Sequence, residues 1–312
     1  MSIPVVNLQQ FYQAQSKNEF AASLGKAFEQ IGFAAVEGHG IDEALIANVY
    51  KLTEQFFNLP LEVKKRYEIE GLAGQRGYTS FGKEHAKGFE AADLKEFFQF
   101  GQEAEGDDTL RANYPDNVKV DDVEGYFENL LDLFRGFERA GFALLKAIAL
   151  YLNLDEDYFD EHVVNGNSIL RAIYYPPITQ EPNSAIRSEQ HEDINLITLL
   201  VGASAEGLQI FTKNNEWQAV TAKPGQIVVN VGDMLQRLTN NKLRSTTHRV
   251  VNPPRELWNT ARYSIPFFLH PKSKMSLACL ESCINNENQK AYEDCTAGEY
   301  LDERLREIGL KA

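Results

Sequence analysis

Between Ser168 and Leu269 the chain breaks into short apolar or alternating runs. They are ILRAIYY (169–175), INLITLLV (194–201), LQIFT (208–212), WQAV (217–220), QIVVNVG (226–232), HRVVN (248–252) and ARYSIPFFL (261–269), divided by Pro, Gly and Asn turns. Seven such runs at near-regular spacing predict antiparallel strands in a sandwich or barrel, since stretches this short are bounded too closely to be helices. Upstream the period changes. Ile3 to Leu8 reads as a short strand, and Phe20, Leu24, Phe28 and Ile31 then recur at helical spacing until Gly32. GFAAVEGHG (32–40) reads as a strand entering a turn. Asp42 is placed to cap a helix with Leu45, Ile46, Val49 and Phe56 on its apolar face, and LEVKKRY (61–67) follows Pro60 as a shorter one.

Residues 71–92 carry Gly71, Gly74, Gly77, Gly82 and Gly88 and read as a loop long enough to form a flap. Their spacing matches no phosphate-cradling fingerprint. Residues 122–152 give the longest helical pattern, with Phe127, Leu130, Leu131, Phe134, Phe137, Leu144, Leu145 and Ile148 as its buried face. Thr296 and Glu299 form a capping-box signature at the start of a last helix.

The 312 residues are 43% hydrophobic and 24% charged, a soluble composition, and no repeat or linker divides them. One domain over 1–312 is expected, with an N-terminal helix and strand region (1–120), a β core (165–275) and a C-terminal helical segment (276–312). The formal charge of −14 opposes binding to nucleic acid or an anionic membrane and leaves a small molecule as the expected partner. Cys279, Cys283 and Cys295 are an odd, clustered set without a fourth metal ligand, so they are read as reduced, inert thiols. MSIPVVNLQQF (1–11) lacks the basic and apolar stretches of a signal peptide. A cytoplasmic location is expected.

Among six histidines, His191 stands out. In HEDINLITLL (191–200), His191 and Asp193 are two apart in a strand-like run, and strand parity would project both to one face, with Asn195 beside them. His248 in STTHRVVN (245–252) adds a second imidazole. Two imidazoles and a carboxylate on one face of a metal suit non-haem Fe(II) chemistry with open coordination positions. HExxH and G-x-S-x-G are absent, which disfavours a zinc protease and a serine hydrolase. In ARYSIPFF, parity groups Arg262, Ser264, Pro266 and Phe268 on one face, with Tyr263 and Ile265 opposite. A guanidinium beside a hydroxyl makes a carboxylate clamp. Asn195 and Phe268 are therefore expected to line a substrate pocket, with Arg76, Tyr78, Phe81, Phe97, Phe98 and Phe100 as further candidates.

These motifs, in this order, resemble the 2-oxoglutarate- and Fe(II)-dependent oxygenases of the isopenicillin N synthase-like group, bacterial in style. The matching stretches are GFAAVEGHGI, FFNLPLEVK, GYTSFGKE, DLKEFFQFG, LRAIYYPP, GDMLQRLTNNKLRSTTHRV and TAGEYLDERL, spread over nearly the whole chain. The resemblance implies a distorted double-stranded β-helix (jelly roll), a mostly β core flanked by helices. It implies His191, Asp193 and His248 as iron ligands, and Arg262, Ser264 and Tyr175 as the grip on the distal carboxylate of 2-oxoglutarate. His39 matches a structural His-Gly turn, and Ile173 stands where many plant members carry Asn. The implied activity is an O2-consuming dioxygenase that turns 2-oxoglutarate into succinate and CO2 while hydroxylating, desaturating or cyclising a small molecule. An iron oxidase of the isopenicillin N synthase type, which does not use 2-oxoglutarate, is the alternative, and a metal-holding jelly roll without turnover is a third reading.

Overall fold

The computed structural model describes residues 3–72, 74–83, 93–103, 108–182 and 184–307. All seven runs form strands, ARYSIPFFL as two of them. In chain order the strands are β1 (Val5–Asn7), β2 (Phe33–Glu37), β3 (Gly77–Thr79), β4 (Glu96–Gly101), β5 (Ile169–Tyr175), β6 (Ser188–His191), β7 (Ile197–Val201), β8 (Leu208–Phe211), β9 (Trp217–Ala219), β10 (Gln226–Val231), β11 (His248–Val250), β12 (Arg262–Ser264) and β13 (Pro266–Leu269). The helices are α1 (Lys17–Gln30), α2 (Glu43–Phe57), α3 (Leu61–Lys64), α4 (Asp108–Arg111), α5 (Tyr126–Tyr151), α6 (Asp160–Val163), α7 (Asp233–Leu238) and α8 (Ala297–Glu307). None of the described helices is long and apolar enough to cross a membrane.

The strands make two sheets. The larger runs β1-β2-β10-β7-β13-β5-β4-β3, with β12 also paired to β5, and the smaller runs β6-β11-β8-β9. Every pairing is antiparallel except β1 with β2. The side-chain period of two gives the large sheet two different faces. Along β7 and β10, Ile197, Leu199, Val201, Ile227, Val229 and Val231 join the helices in the main core. The intervening Thr198, Leu200, Val228 and Asn230 line a cavity between the sheets. β13 alternates in the same way. Phe267 stacks on Phe137 of α5 at 5.3 Å, while Pro266 and Phe268 face the cavity.

The helical layer follows its caps and apolar stripes. Asp42 Oδ1 accepts the Ala44 N–H at 2.9 Å and starts α2, a contact worth about 1 kcal/mol. Thr296 and Glu299 exchange hydrogen bonds across the first turn of α8, as a capping box requires. Gly32 closes α1 at φ +77°, and a Cβ there would meet the Arg244 carbonyl at 2.3 Å. α5 begins at Tyr126 rather than at residue 122, because Gly125 takes φ 76° just before it.

Two expectations change. The glycine-rich stretch is not loop throughout, since Gly77–Thr79 pair with β4, and Phe97, Phe98 and Phe100 sit in a strand. Residues 84–92, with Gly88 and part of the flap reading, lie outside the described residues. Tyr78, Phe98 and Phe100 are buried in the main core and Phe81 is exposed, so none of these four lines the cavity. Phe97 is buried in a small cluster with Ile173, Tyr175 and Val250, three residues of the cavity wall.

α1 and α5 approach closely because Gly25 offers no side chain: a Cβ there would lie 2.1 Å from Cγ of Tyr151. Gly25→Ala should therefore destabilise the fold by about 1–3 kcal/mol, read as a lower denaturation midpoint, and a midpoint equal to the parent's would refute this packing account.

Candidate metal centre

His191 ends β6 and His248 opens β11, and the antiparallel register sets them directly opposite. Their ring centroids are 4.4 Å apart. His191 Nδ1 lies 2.7 Å from the Glu189 carbonyl and His248 Nδ1 lies 3.1 Å from that of Thr246. With Nδ1–H donating to these carbonyls, each Nε2 lone pair is left for a metal. Burial, then the neighbouring His248 charge, lowers the His191 pKa, which favours the neutral ligating form. Phe33 packs edge-on against His248 with centroids 5.7 Å apart and fixes that ring.

Asp193 reaches the same point by a different route from the one strand parity suggests. The chain leaves β6 after His191, and residues 192–196 form a loop before β7. The Asp193 carbonyl accepts the Asp233 N–H at 2.8 Å. Its Oδ2 accepts hydrogen bonds from Thr198 Oγ1 at 2.6 Å and Asn230 Nδ2 at 2.8 Å. Oδ1 then faces both imidazoles, 3.8 Å from His191 Nε2 and 3.6 Å from His248 Nε2. Burial opposes ionisation of Asp193, but the two imidazoles and the two hydrogen bonds hold its pKa below the usual value. The three ligand atoms lie within 4.8 Å of one another, and they are the one such group of metal-ligating side chains among the described residues. Donors about 2.1 Å from one ion sit about 3.0–3.4 Å apart, and the two separations of Asp193 Oδ1 from the imidazoles exceed that range by only a few tenths of an ångström. The donor set fits a divalent ion.

The triad stands at one wall of a cavity of about 600 Å3 between the sheets. Arg262, Ser264, Pro266 and Phe268 all line it, as their alternation predicts, together with Tyr175 and Ile173. Tyr263 turns away to stack on Tyr174 at 5.0 Å, and Ile265 enters the core. Arg262 is directly across the ladder from Tyr175, whose ring centre lies 5.0 Å from the guanidinium. Arg262 Nε donates to the Ala205 carbonyl at 3.0 Å, while its Nη1 is buried without a partner.

Asn195 does not line the cavity. It is fully buried in the loop where strand parity fails, and its Nδ2 donates to Thr198 Oγ1 at 2.8 Å. It thus braces the residue that braces Asp193. Arg76 is also buried away from the cavity, with its guanidinium against Gly101. His39 Nδ1 accepts the Ile41 N–H at 3.1 Å and serves its turn. The three cysteines form no disulfide, and Cys279 and Cys283 are buried.

Several cavity residues were not singled out from sequence. Thr198 and Asn230 left a readable trace, as lone polar residues in the otherwise apolar ITLLV (197–201) and IVVNV (227–231). Asp93 and Lys95 form a buried pair at 2.8 Å, and Asp93 Oδ1 accepts the Glu189 N–H at 3.0 Å, which supports β6 just before His191. Arg171 lies between the rings of Phe97 and Phe268, at 4.3 and 5.4 Å from their centres, with Nε bonded to Gln99 Oε1 at 2.7 Å. His270 lines the same wall, and burial lowers its pKa to about 4. Thr198→Val keeps the shape of Thr198 and deletes the hydrogen bond to Asp193. It should weaken divalent-metal binding by about tenfold to a hundredfold in a metal titration, and unchanged affinity would show that this bond does not orient the carboxylate.

Known families and proteins agree with this geometry. Residues 3–121 match the N-terminal family model described as non-haem dioxygenase in morphine synthesis, and residues 166–271 match that of the 2OG-Fe(II) oxygenase superfamily. The proline hydroxylase buaE of Petromyces alliaceus is 34% identical, with 92% of each chain covered. The kihadalactone A synthase LFS of Citrus sinensis is 30% identical, covering 98% of this chain and 93% of that one. A 2OG-Fe(II) oxygenase family protein from Caulobacter crescentus superposes with a TM-score of 0.88 at 42% identity, over 98% of this chain and 99% of the other. A full-length Neurospora crassa protein, solved in complex with alpha-KG (2-oxoglutarate) and thymine, gives a TM-score of 0.85 at 28% identity, over 98% and 96%. A superfamily model over the β core, a relative 34% identical along nearly the whole chain and a superposable structure at 42% identity establish that this chain belongs to the 2-oxoglutarate- and Fe(II)-dependent oxygenase superfamily.

Proposed function

We propose that His191, Asp193 and His248 hold the ferrous ion of this oxygenase, and that Arg262, Ser264 and Tyr175 grip the distal carboxylate of 2-oxoglutarate in the same cavity. The observation that carries this reading is the buried Arg262, whose Nη1 lacks a partner in the cavity that also holds the triad. A buried guanidinium without an acid is costly unless an anion completes it. A dicarboxylate held at the triad by one end would find in the same cavity a cation for the other. When bound, ferrous iron supplies the O2 activation that couples decarboxylation of 2-oxoglutarate to oxidation of a substrate.

The chain's own residues orient and shield. Thr198 and Asn230 fix Asp193, the Glu189 and Thr246 carbonyls set the imidazole tautomers, and Tyr175 packs against the Arg262 cation. Apolar side chains from both sheets, among them Leu200, Val228, Leu208 and Val250, line the cavity beside these polar groups. The volume suits a small molecule beside the co-substrate. Phe268 and Arg171 line the wall of the large sheet, with Phe97 packed on the Arg171 guanidinium. We assign this wall to the primary substrate, a compact molecule with a flat face and polar edges. The three free thiols fit a reducing compartment such as the cytoplasm.

The test is iron-dependent formation of succinate from 2-oxoglutarate, scored across a panel of small metabolites for turnover above the uncoupled rate. Arg262→Ala should cut succinate release by about a hundredfold and abolish the visible charge-transfer band that 2-oxoglutarate gives with the anaerobic Fe(II) protein. Undiminished turnover in that variant would sink the assignment of Arg262. A parent protein that never shows the band would favour the iron oxidase that does without 2-oxoglutarate.

A further inference from the structure

Two guanidiniums are buried behind the proposed carboxylate pocket, and the mechanism above uses one of them. Arg187, immediately before β6, is 1% exposed, as is Arg262. Arg187 Nη2 donates to the Thr260 carbonyl at 2.9 Å, two residues before Arg262, and so anchors the entry to β12. Arg187 Nε is buried without a partner, as is Arg262 Nη1. Among the described residues, neither arginine makes an ion pair with a carboxylate. Burial first, and then the charge of Arg262, lowers the Arg187 pKa to about 10, with Tyr175 acting in the opposite direction. The Thr260 contact thus ties one buried cation to the strand entry that carries the other, in a protein whose net charge is −14.

Such an arrangement works against folding unless something else is gained, because desolvation and mutual repulsion both oppose it. An anion at Arg262 removes the repulsion and is attracted by both cations, and solvent and salt screen little of that attraction at a buried site. Arg187 does not itself line the cavity, so it acts through Arg262 and through the backbone that carries it.

We propose that Arg187 is a positioning residue for the co-substrate pocket, a second buried cation that aligns Arg262 through Thr260 and selects a 2-oxo acid bearing a distal carboxylate over one without it. The inference rests on the assignment of Arg262, Ser264 and Tyr175 to that carboxylate.

The experiment titrates the anaerobic Fe(II) protein with 2-oxoglutarate and with 2-oxopentanoate, following the chelation band. The two ligands share the chelating end, and the second carries a methyl group in place of the distal carboxylate. Arg187→Gln should weaken 2-oxoglutarate binding by about tenfold or more and leave 2-oxopentanoate within about twofold of its parent value. Arg187→Lys, which keeps the charge, should recover most of the preference for 2-oxoglutarate. Equal losses for both ligands would mark Arg187 as merely structural, and an unchanged preference in Arg187→Gln would also overturn the proposal. Arg262→Gln in the same titration separates the two levels. If it abolishes the preference while Arg187→Gln does not, only this inference fails; if it too leaves the preference intact, the pocket assignment beneath it fails as well.

Discussion

The site depends on one buried carboxylate whose two oxygens have different partners. Asp193 Oδ2 is saturated by a hydroxyl and an amide, so Oδ1 alone is left toward the imidazoles. A carboxylate with both oxygens free would rotate, and one with both occupied could not ligate. The bracing comes from β7 and β10, neighbouring central strands of the larger sheet, while the histidines belong to the smaller one. The metal centre is therefore a joint between two sheets, and its geometry depends on their being packed together.

That packing has a division of labour built into the pleat. Odd-numbered positions of β7 and β10 hold the helices, and even-numbered positions face the cavity. Phe267 serves α5 while Phe268, its neighbour, serves the cavity. Gly25 permits the tight contact of α1 with α5, and the helices stabilise the large sheet from the face opposite the chemistry. The cavity face is thereby free to carry polar residues that a doubly buried sheet could not accept without partners.

Much of this was legible in the residues alone. Short apolar runs between turn residues marked the strands, since a pleated strand needs few residues to cross a domain. Arg262, Ser264 and Phe268 were placed on one face by alternation alone, and β12 and β13 keep that alternation across Ile265. The same rule misled at Asn195, because parity is valid only while the backbone stays extended, and the chain bends away after His191. Asp193 could be named as a candidate ligand but not placed, for the same reason. Thr198 and Asn230 show that a polar residue inside an apolar strand is worth pursuing, while Arg187 and Lys95 show the limit. An arginine or lysine in a polar stretch reads as surface, and only tertiary packing reveals that it is buried.

The separation of walls bears on how such an enzyme changes over time. The metal wall is contributed by β6, β11 and the loop after β6, whereas the flat wall of Arg171 and Phe268, backed by Phe97, is contributed by β5, β13 and β4. On the proposed assignment, replacements at Arg171 and Phe268 would alter what is recognised, while the three triad side chains are carried by other segments. New specificities can then accumulate by drift at a few sheet positions while the oxidising machinery is inherited whole.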